Sequence, residues 1–407
     1  MKCIKFFIMM LLFGVSQLNA QQINFGDSTV ISLITCDPGD EIYAKFGHTA
    51  IRIKDTEGLD LVFNYGLFDF RTENFYWKFL RGYTDYMLGV SRTADFLYEY
   101  QTRNSSVYEQ VLNLDRNEKN KLIHLLNVNY EPQNRVYRYN FVFDNCATRP
   151  QDIIQEAVNG AIVDNVNPSD ETYREIISKY LNDDPWADFG INLILGIDAD
   201  RQAGEQANSF IPGNLKNYFE RAKVLPVDER RSERKLVEAS EVLIQAVPRQ
   251  KAEINWFFHP VTITLLFLMV GLMLTFFKER KNNLYKIFDT VLYLFTGFAG
   301  LLIMVFSFFS VHPLVANNLN LLWLNPLNIL VAFLLWQRQA RKFLFFYNIV
   351  SLVLILLYIV VSVFFVHSIV PAAVPLSVLV FIRTLRRVER LLHILFTPTS
   401  DGLKWKK

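Results

Sequence analysis

Tyr137-Arg138-Tyr139-Asn140-Phe141-Val142-Phe143-Asp144-Asn145-Cys146-Ala147-Thr148-Arg149-Pro150 is the stretch on which the fold is read. Residues 137–143 alternate as a strand does, and Asp144-Asn145 is turn chemistry. Residues 151–158 then place Ile153, Ile154, Ala157 and Val158 at helical spacing. Pro150 suits a first helical turn, where the N–H it lacks would have no partner in any case. The junction is therefore strand, cysteine, helix. A thiol at such a place stands beside unpaired N–H groups and the positive end of the helix dipole, which favours thiolate. Those N–H groups also point to where an oxyanion forms.

Upstream, residues 28–53 suggest two strands around a loop. Val30-Ile31-Ser32-Leu33-Ile34-Thr35 is β-rich, Asp37-Pro38-Gly39-Asp40 is a turn, and His48-Thr49-Ala50-Ile51-Arg52-Ile53 alternates. Residues 55–60 turn again, and Leu61-Val62-Phe63-Asn64-Tyr65-Gly66 begins the next strand. The aromatic-rich residues 74–88 start as a helix, residues 94–100 and 107–112 read as further strands, and 117–127 as a helix. Downstream, residues 164–220 are mostly helical. They include the uncharged run Phe189-Gly190-Ile191-Asn192-Leu193-Ile194-Leu195-Gly196-Ile197. Its short length predicts a core helix, the alternative being a segment that dips into a bilayer surface beside an active site. Residues 227–251 are charged and read as a helical connector.

The 407 residues leave room for two or three domains and divide into two unlike halves. The formal charge of +2 comes with no basic, aromatic-interleaved patch in the first half, which argues against nucleic-acid binding. Lys2 and Lys5, an apolar core over residues 6–15 and Leu18-Asn19-Ala20 make a signal peptide with its cleavage site; an uncleaved anchor is the competing reading. Cleavage removes Cys3 and leaves Cys36 and Cys146 in an exported domain. An oxidising compartment permits their disulfide, although a domain with its own core does not need that staple.

Beyond Trp256 the chain is dominated by Phe, Leu, Ile and Val, with apolar stretches near 257–277, 288–310, 319–336, 343–366 and 368–382. Positive residues follow the first (Lys278, Arg280, Lys281, Lys286), the third (Arg338, Arg341, Lys342) and the fifth (Arg383, Arg386, Arg387, Arg390). The turns 311–318 and 367–375 carry no Lys or Arg. The positive-inside rule then brings the first helix in from outside and leaves the C-terminus cytoplasmic, in agreement with the signal peptide.

Thiol catalysis needs a nucleophile, a histidine, a group that orients it and an oxyanion site. Cys146 and His48 supply the first two if the strands bring them together; an ordinary buried histidine is the competing reading of His48. His124 sits in a helix-like stretch, on a packed or solvated face. Asn64 is the choice for orienting group, with Asp69 and Asp60 as competitors. Tyr43 and Tyr139 are candidate donors, though packing explains most of the 18 tyrosines. Asn145 serves the turn and Arg149 is solvated on the simplest reading. His312 and His367 fall in the two outer turns, where contact with lipid headgroups or a substrate amine is one reading and polar capping of helix ends explains them just as well. No spaced cluster suggests a metal and no glycine-rich loop a phosphate.

The segments Leu33-Ile34-Thr35-Cys36-Asp37-Pro38-Gly39-Asp40, Phe46-Gly47-His48-Thr49-Ala50-Ile51-Arg52, Phe63-Asn64-Tyr65-Gly66, Phe143-Asp144-Asn145-Cys146-Ala147-Thr148-Arg149 and Pro185-Trp186-Ala187-Asp188-Phe189-Gly190 resemble, in order, the Lnb-type periplasmic domain family. The resemblance spans roughly residues 25–225; the membrane half is similar only in general character. His first, then an Asn-Cys pair opening a helix, also resembles the permuted papain-like enzymes of the NlpC/P60 and lecithin:retinol acyltransferase type. The resemblance implies His48 as base and Cys146 as nucleophile, with Asn64 an approximate match as third group and Cys36 without a counterpart. It implies an α+β papain-like domain followed by an all-α transmembrane bundle.

The expected organisation is a signal peptide over 1–20, a periplasmic thiol acyltransferase domain over 21–226, a helical connector over 227–256, about five transmembrane helices over 257–390 and a cytoplasmic basic tail over 391–407. The expected activity moves an acyl chain from a membrane phospholipid through a Cys146 thioester to the α-amine of a diacylated lipoprotein, at a bacterial inner membrane and without a cofactor. The rival readings are a membrane-anchored cysteine amidase or peptidase acting on peptidoglycan, and a non-catalytic envelope scaffold with Cys36 and Cys146 paired.

Overall fold

A computed structural model describes residues 25, 28–68, 71–166, 169–227, 232–248, 255–276, 283–364 and 369–396. The expected signal peptide, His367, Asp69, Lys278, Arg280, Lys281 and the tail beyond residue 396 lie outside the described residues.

The N-terminal half is an α+β domain. Its elements are β1 (Val30–Cys36), β2 (His48–Lys54), β3 (Asp60–Leu67), α1 (Phe75–Arg81), β4 (Asp85–Arg92), α2 (Thr93–Thr102), β5 (Val107–Leu112), α3 (Arg116–Tyr130), β6 (Val136–Arg138) and α4 (Thr148–Ala157). There follow β7 (Gly160–Val163), β8 (Ser169–Thr172), α5 (Tyr173–Lys179), α6 (Pro185–Ile194), β9 (Gln202–Gly204), α7 (Pro212–Arg221), β10 (Lys223–Pro226), β11 (Arg234–Lys235) and β12 (Val237–Ile244). Seven strands form one antiparallel sheet in the order β12-β5-β1-β2-β3-β4-β6.

The sheet is covered on both faces, which is why β1 is apolar almost throughout. Ile31, Leu33, Ile51, Ile53, Phe63 and Tyr65 pack with Leu122 and Leu126 of α3, Ile153 and Ile154 of α4, and Leu215 and Phe219 of α7. The alternate residues Ile34, Cys36, Ala50 and Val62 pack with Phe96 and Tyr100 of α2. The register pairs Cys36 with His48 across β1 and β2.

Three elements differ from expectation. Residues 94–100, expected as a strand, lie in α2, because Phe96 and Tyr100 are one helical turn apart and bury together. The strand expected over 137–143 ends at Arg138: the Asn140 side chain accepts from the Val142 and Phe143 N–H groups, and Asn140 bridges to Asp144, which closes a turn. The helical connector expected over 227–256 contains a strand instead. β12 pairs along the open edge of β5, and tertiary pairing overrides its helix-compatible composition.

The C-terminal half is helical, with α8 (Pro260–Phe276), α9 (Leu284–Phe309), α10 (Asn328–Leu334), α11 (Arg341–Phe364) and α12 (Ala373–Phe396). Residues 284–309 and 338–364 form helices long and apolar enough to cross a membrane, with mean hydropathies of 2.2 and 2.7. The third expected span, 319–336, is broken into a 3-10 turn at Leu319–Leu322 and the short α10. The fifth begins after Pro371 and runs on through the basic residues as α12. There Arg383 and Arg387 pair with the buried Asp289 of α9.

The two halves are joined at one end of the bundle. His312 donates from Nε2 to the Phe79 carbonyl (2.6 Å), and the Val311 N–H donates to the Arg81 carbonyl at the end of α1 (2.9 Å). Asn318 Nδ2 donates to the carbonyls of Leu193, Ile194 and Leu195, capping α6. Phe189 and Leu193 of α6 pack on the membrane bundle's core, while Ala187 and Ile191 pack on the domain. The uncharged run is thus a helix wedged between the two halves.

Candidate active site

The turn at Asp144-Asn145 aims Cys146 at the sheet. Asn145 is buried; its Oδ1 accepts from the Ala147 and Thr148 N–H groups (2.7 and 2.9 Å), and its Nδ2 donates to the Phe141 and Phe210 carbonyls. The side chain therefore caps α4 and fixes the loop on either side of the nucleophile. It also takes up two of the N–H groups that the sequence offers to an oxyanion. Arg149 is not solvated: its guanidinium forms a fork with Asp144 (2.5 and 2.8 Å) and lies 3.6 Å over the Tyr137 ring.

His48 opens β2, and its Nε2–H donates to Asn64 Oδ1 on the neighbouring β3 at 2.6 Å. The ring stacks beside Tyr100. With Nε2 engaged, Nδ1 is the nitrogen left to accept a proton. His48 and Cys146 meet at Gly66, whose φ of +93° ends the regular pairing of β3 in a bulge. A Cβ there would stand 3.5 Å from Cys146 Cβ and 3.8 Å from His48 Cε1. The sulfur also takes a hydrogen bond from the backbone N–H of Thr49, next to His48.

Burial dominates the electrostatics. It pushes the Cys146 thiol up to about 11, although the Thr49 and Cys146 N–H groups pull the other way. It holds His48 down at about 4, against the hydrogen bond to Asn64 and with help from the Arg103 charge. Both directions favour a neutral thiol beside a neutral imidazole at rest, against the pull towards thiolate expected from the helix start. α4 begins at Thr148, two residues after the sulfur's residue, so the dipole acts weakly against desolvation.

Around the sulfur stand Tyr86, Tyr100, Tyr137 and Tyr139, close enough for a charge on Cys146 to raise their hydroxyls beyond what burial does. Of the two expected tyrosines, Tyr139 is therefore in this shell, stacked on Tyr86 at 4.2 Å. Tyr43 is 55 % exposed and touches Phe68 instead. Tyr137 and Thr49 keep buried hydroxyls that no protein group satisfies. Cys36 and Cys146 are both free thiols, and the Tyr100 hydroxyl is bonded to Cys36. His124 is exposed on α3, and Asp60 is engaged with Arg52 and Thr93. Gly66, Tyr86, Tyr137 and the Thr49 N–H escaped sequence reasoning. Only Gly66 left a signal, as a glycine closing a strand pattern. Among the described residues no group of three or more His, Cys, Asp or Glu gathers that could hold a metal.

Two family comparisons cover most of this architecture. Residues 17–179 match the Lnb N-terminal periplasmic domain, and residues 252–391 match the Lnb transmembrane domain. The chain belongs to the Lnb-type lipoprotein N-acyltransferase family. The α+β half is accordingly a periplasmic domain and the helical half its transmembrane domain. Comparison with curated proteins and with solved structures returns no match. The two matched segments leave out residues 180–251, where β12 completes the Lnb chain's sheet, α7 covers it and α6 packs on the transmembrane domain.

Proposed function

We propose that this Lnb-family chain is a cysteine-dependent acyltransferase with a permuted papain-like site, working by two transfers at one thiol. His48 Nδ1 takes the Cys146 proton as the sulfur attacks an ester carbonyl of a membrane phospholipid. The carbonyl oxygen develops its charge towards the N–H groups of Thr49 and Cys146. Collapse breaks the ester C–O bond, and His48 returns the proton to the leaving lysophospholipid. The α-amine of a diacylated lipoprotein's N-terminal cysteine then attacks the thioester, His48 receives the amine proton, and the amide forms as the Cys146 sulfur leaves and is reprotonated. No cofactor enters this sequence. The reading places the enzyme in a bacterial inner membrane with its C-terminus cytoplasmic.

The observation that carries it is the meeting of a His48–Asn64 pair and a free Cys146 at Gly66, in a domain docked on membrane helices. In a strain whose lipoprotein N-acylation depends on this protein, Cys146→Ala should leave lipoproteins with free N-terminal amines, read by intact mass of their N-terminal peptides. Unchanged N-acylation in that strain contradicts the proposal, and altered peptidoglycan cross-linking with normal lipoproteins favours the amidase instead.

A further inference from the structure

The reading of Cys146 as an acyl carrier leaves open how an acyl chain travels from the bilayer to a buried thiol. Between the two lies an unbroken string of aromatic rings. Tyr86, in the shell around Cys146, packs on Phe68 with ring centroids 5.0 Å apart; Phe68 packs on Phe75 at 6.0 Å, and Phe75 on Phe79 at 6.1 Å. Phe79 meets His312 at 5.7 Å, and His312 meets Phe306 of α9 at 5.9 Å. The string thus begins beside the nucleophile and ends on a helix long enough to span a membrane.

The rings form the floor of an exposed apolar strip. Leu67 and Met87, partners across β3 and β4, both face solvent beside Gly66. Gly89 makes room for Leu67, since a Cβ there would come within 2.2 Å of its Cδ1. At the far end, Tyr76 and Trp77 on α1 are 81 % and 54 % exposed. α1 is held at the end of α9 by the His312 and Val311 hydrogen bonds. A free-standing soluble domain rarely leaves such large side chains bare, whereas Trp and Tyr are favoured at a bilayer surface.

We propose that this strip, from α1 across Phe68 and Leu67 to Gly66, is the track that holds a fatty-acyl chain of a bilayer lipid while its carbonyl reaches Cys146. The proposal rests on the thioester reading above and adds the surface that selects the donor. Its occupant follows from continuity: the ring contacts run from Phe306 of α9 to Tyr86 beside Cys146, with Arg81, bonded to the Phe309 carbonyl and lying over Trp77, as the charge at the bilayer end. An acyl chain laid along it leaves hydrocarbon to meet the aromatic and aliphatic side chains of the strip, so extraction from the bilayer costs less apolar surface.

The test uses the full-length protein in vesicles and follows acyl-Cys146 by intact mass with two donors, a long-chain diacyl phospholipid in the same vesicles and water-soluble p-nitrophenyl acetate. The doubly substituted Trp77→Ser, Phe79→Ser protein should acylate from the phospholipid about tenfold or more slowly, from the loss of apolar contact with the chain, and from the acetate at the wild-type rate. Phe79→Leu should restore most of the phospholipid rate. Wild-type rates with both donors, or equal slowing with both, overturn the track. As a second measurement, a phospholipid with a diazirine along its chain should label α1 and residues 67–68 in the wild-type protein; label confined to the spanning helices overturns it as well. Acyl-Cys146 formed from the acetate but never from the phospholipid by the wild type removes the track and spares the nucleophile. An absence of acyl-enzyme with both donors removes the thioester reading itself.

Discussion

Burial pushes His48 down to about 4 and Cys146 up to about 11, which favours chemistry that begins with a proton transfer over a standing ion pair. The sign of the pH dependence follows. Protonation of His48 removes the base, so acyl-enzyme formation should fall only as the pH drops through about 4, well below the ordinary histidine value. Iodoacetamide, which needs thiolate, should alkylate Cys146 slowly at pH 7 and faster as the pH climbs towards 11. An acid limb near the usual histidine range, or fast alkylation at neutral pH, contradicts the neutral pair. Gly66 gives a second prediction at this scale. Its φ of +93° is unfavourable for any side chain, and the backbone shift that relieves a methyl there would move the segment that Cys146 and His48 both touch. Gly66→Ala should slow acyl-enzyme formation about a hundredfold through misplacement of the pair, with secondary structure retained by circular dichroism. Sequence made Cys146, His48 and Asn64 readable one at a time, because each sits in a local pattern. It could not show their meeting, since that depends on the Cys36–His48 register and on the bulge at Gly66, both set by long-range pairing.

Elements were readable where one period ruled them. β1, β2, α3, α4 and the long apolar helices follow their patterns, while α2 and β12 depended on what they pack against. The broken third stretch of the membrane half shows the limit most sharply. Irregular backbone at membrane depth is tolerated only where protein covers it. Here α9 provides the cover through two glycines: a Cβ on Gly300 would lie 2.1 Å from the Leu324 carbonyl oxygen, and one on Gly297 2.6 Å from the Ile329 nitrogen. The Asn328 side chain then donates to Thr296 of α9 and accepts from Tyr347 of α11, which ties the broken segment to both helices inside the bundle. Gly300→Leu should push residues 324–329 out of that groove and expose their backbone to lipid. The expected result is a membrane-inserted but misassembled protein, seen as faster proteolysis at residues 310–327 and loss of the wild-type thermal transition in detergent. A variant as stable as the wild type contradicts the account of the break.

At the scale of the whole molecule, the joints between the halves among the described residues lie at one end of the bundle. Asn318 caps α6, Trp186 Nε1 donates to the Phe258 carbonyl, and Gly196 lies against Ala316 so closely that a Cβ would fall 1.6 Å from its carbonyl oxygen. The basic residues Lys286, Arg341 and Lys342 mark the opposite ends of α9 and α11, and Arg386, Arg387 and Arg390 sit in the later half of α12. Charge pattern alone suggested two sides, and the fold adds that the periplasmic domain is bonded at the end of α9 away from these positive charges. None of these joints was visible in the sequence, because they link groups at least 72 residues apart. The positive-inside rule then predicts that the basic ends face the cytoplasm. Single cysteines introduced at two exposed positions test this in spheroplasts of a strain carrying the protein. A membrane-impermeant maleimide should label Glu238→Cys on β12 in intact spheroplasts, and Arg338→Cys only after the membrane is opened. Labelling of Arg338→Cys in intact spheroplasts would place the basic ends outside. The proposed acceptor amines, which sit on the outer face beside the docked domain, would then be out of reach of Cys146.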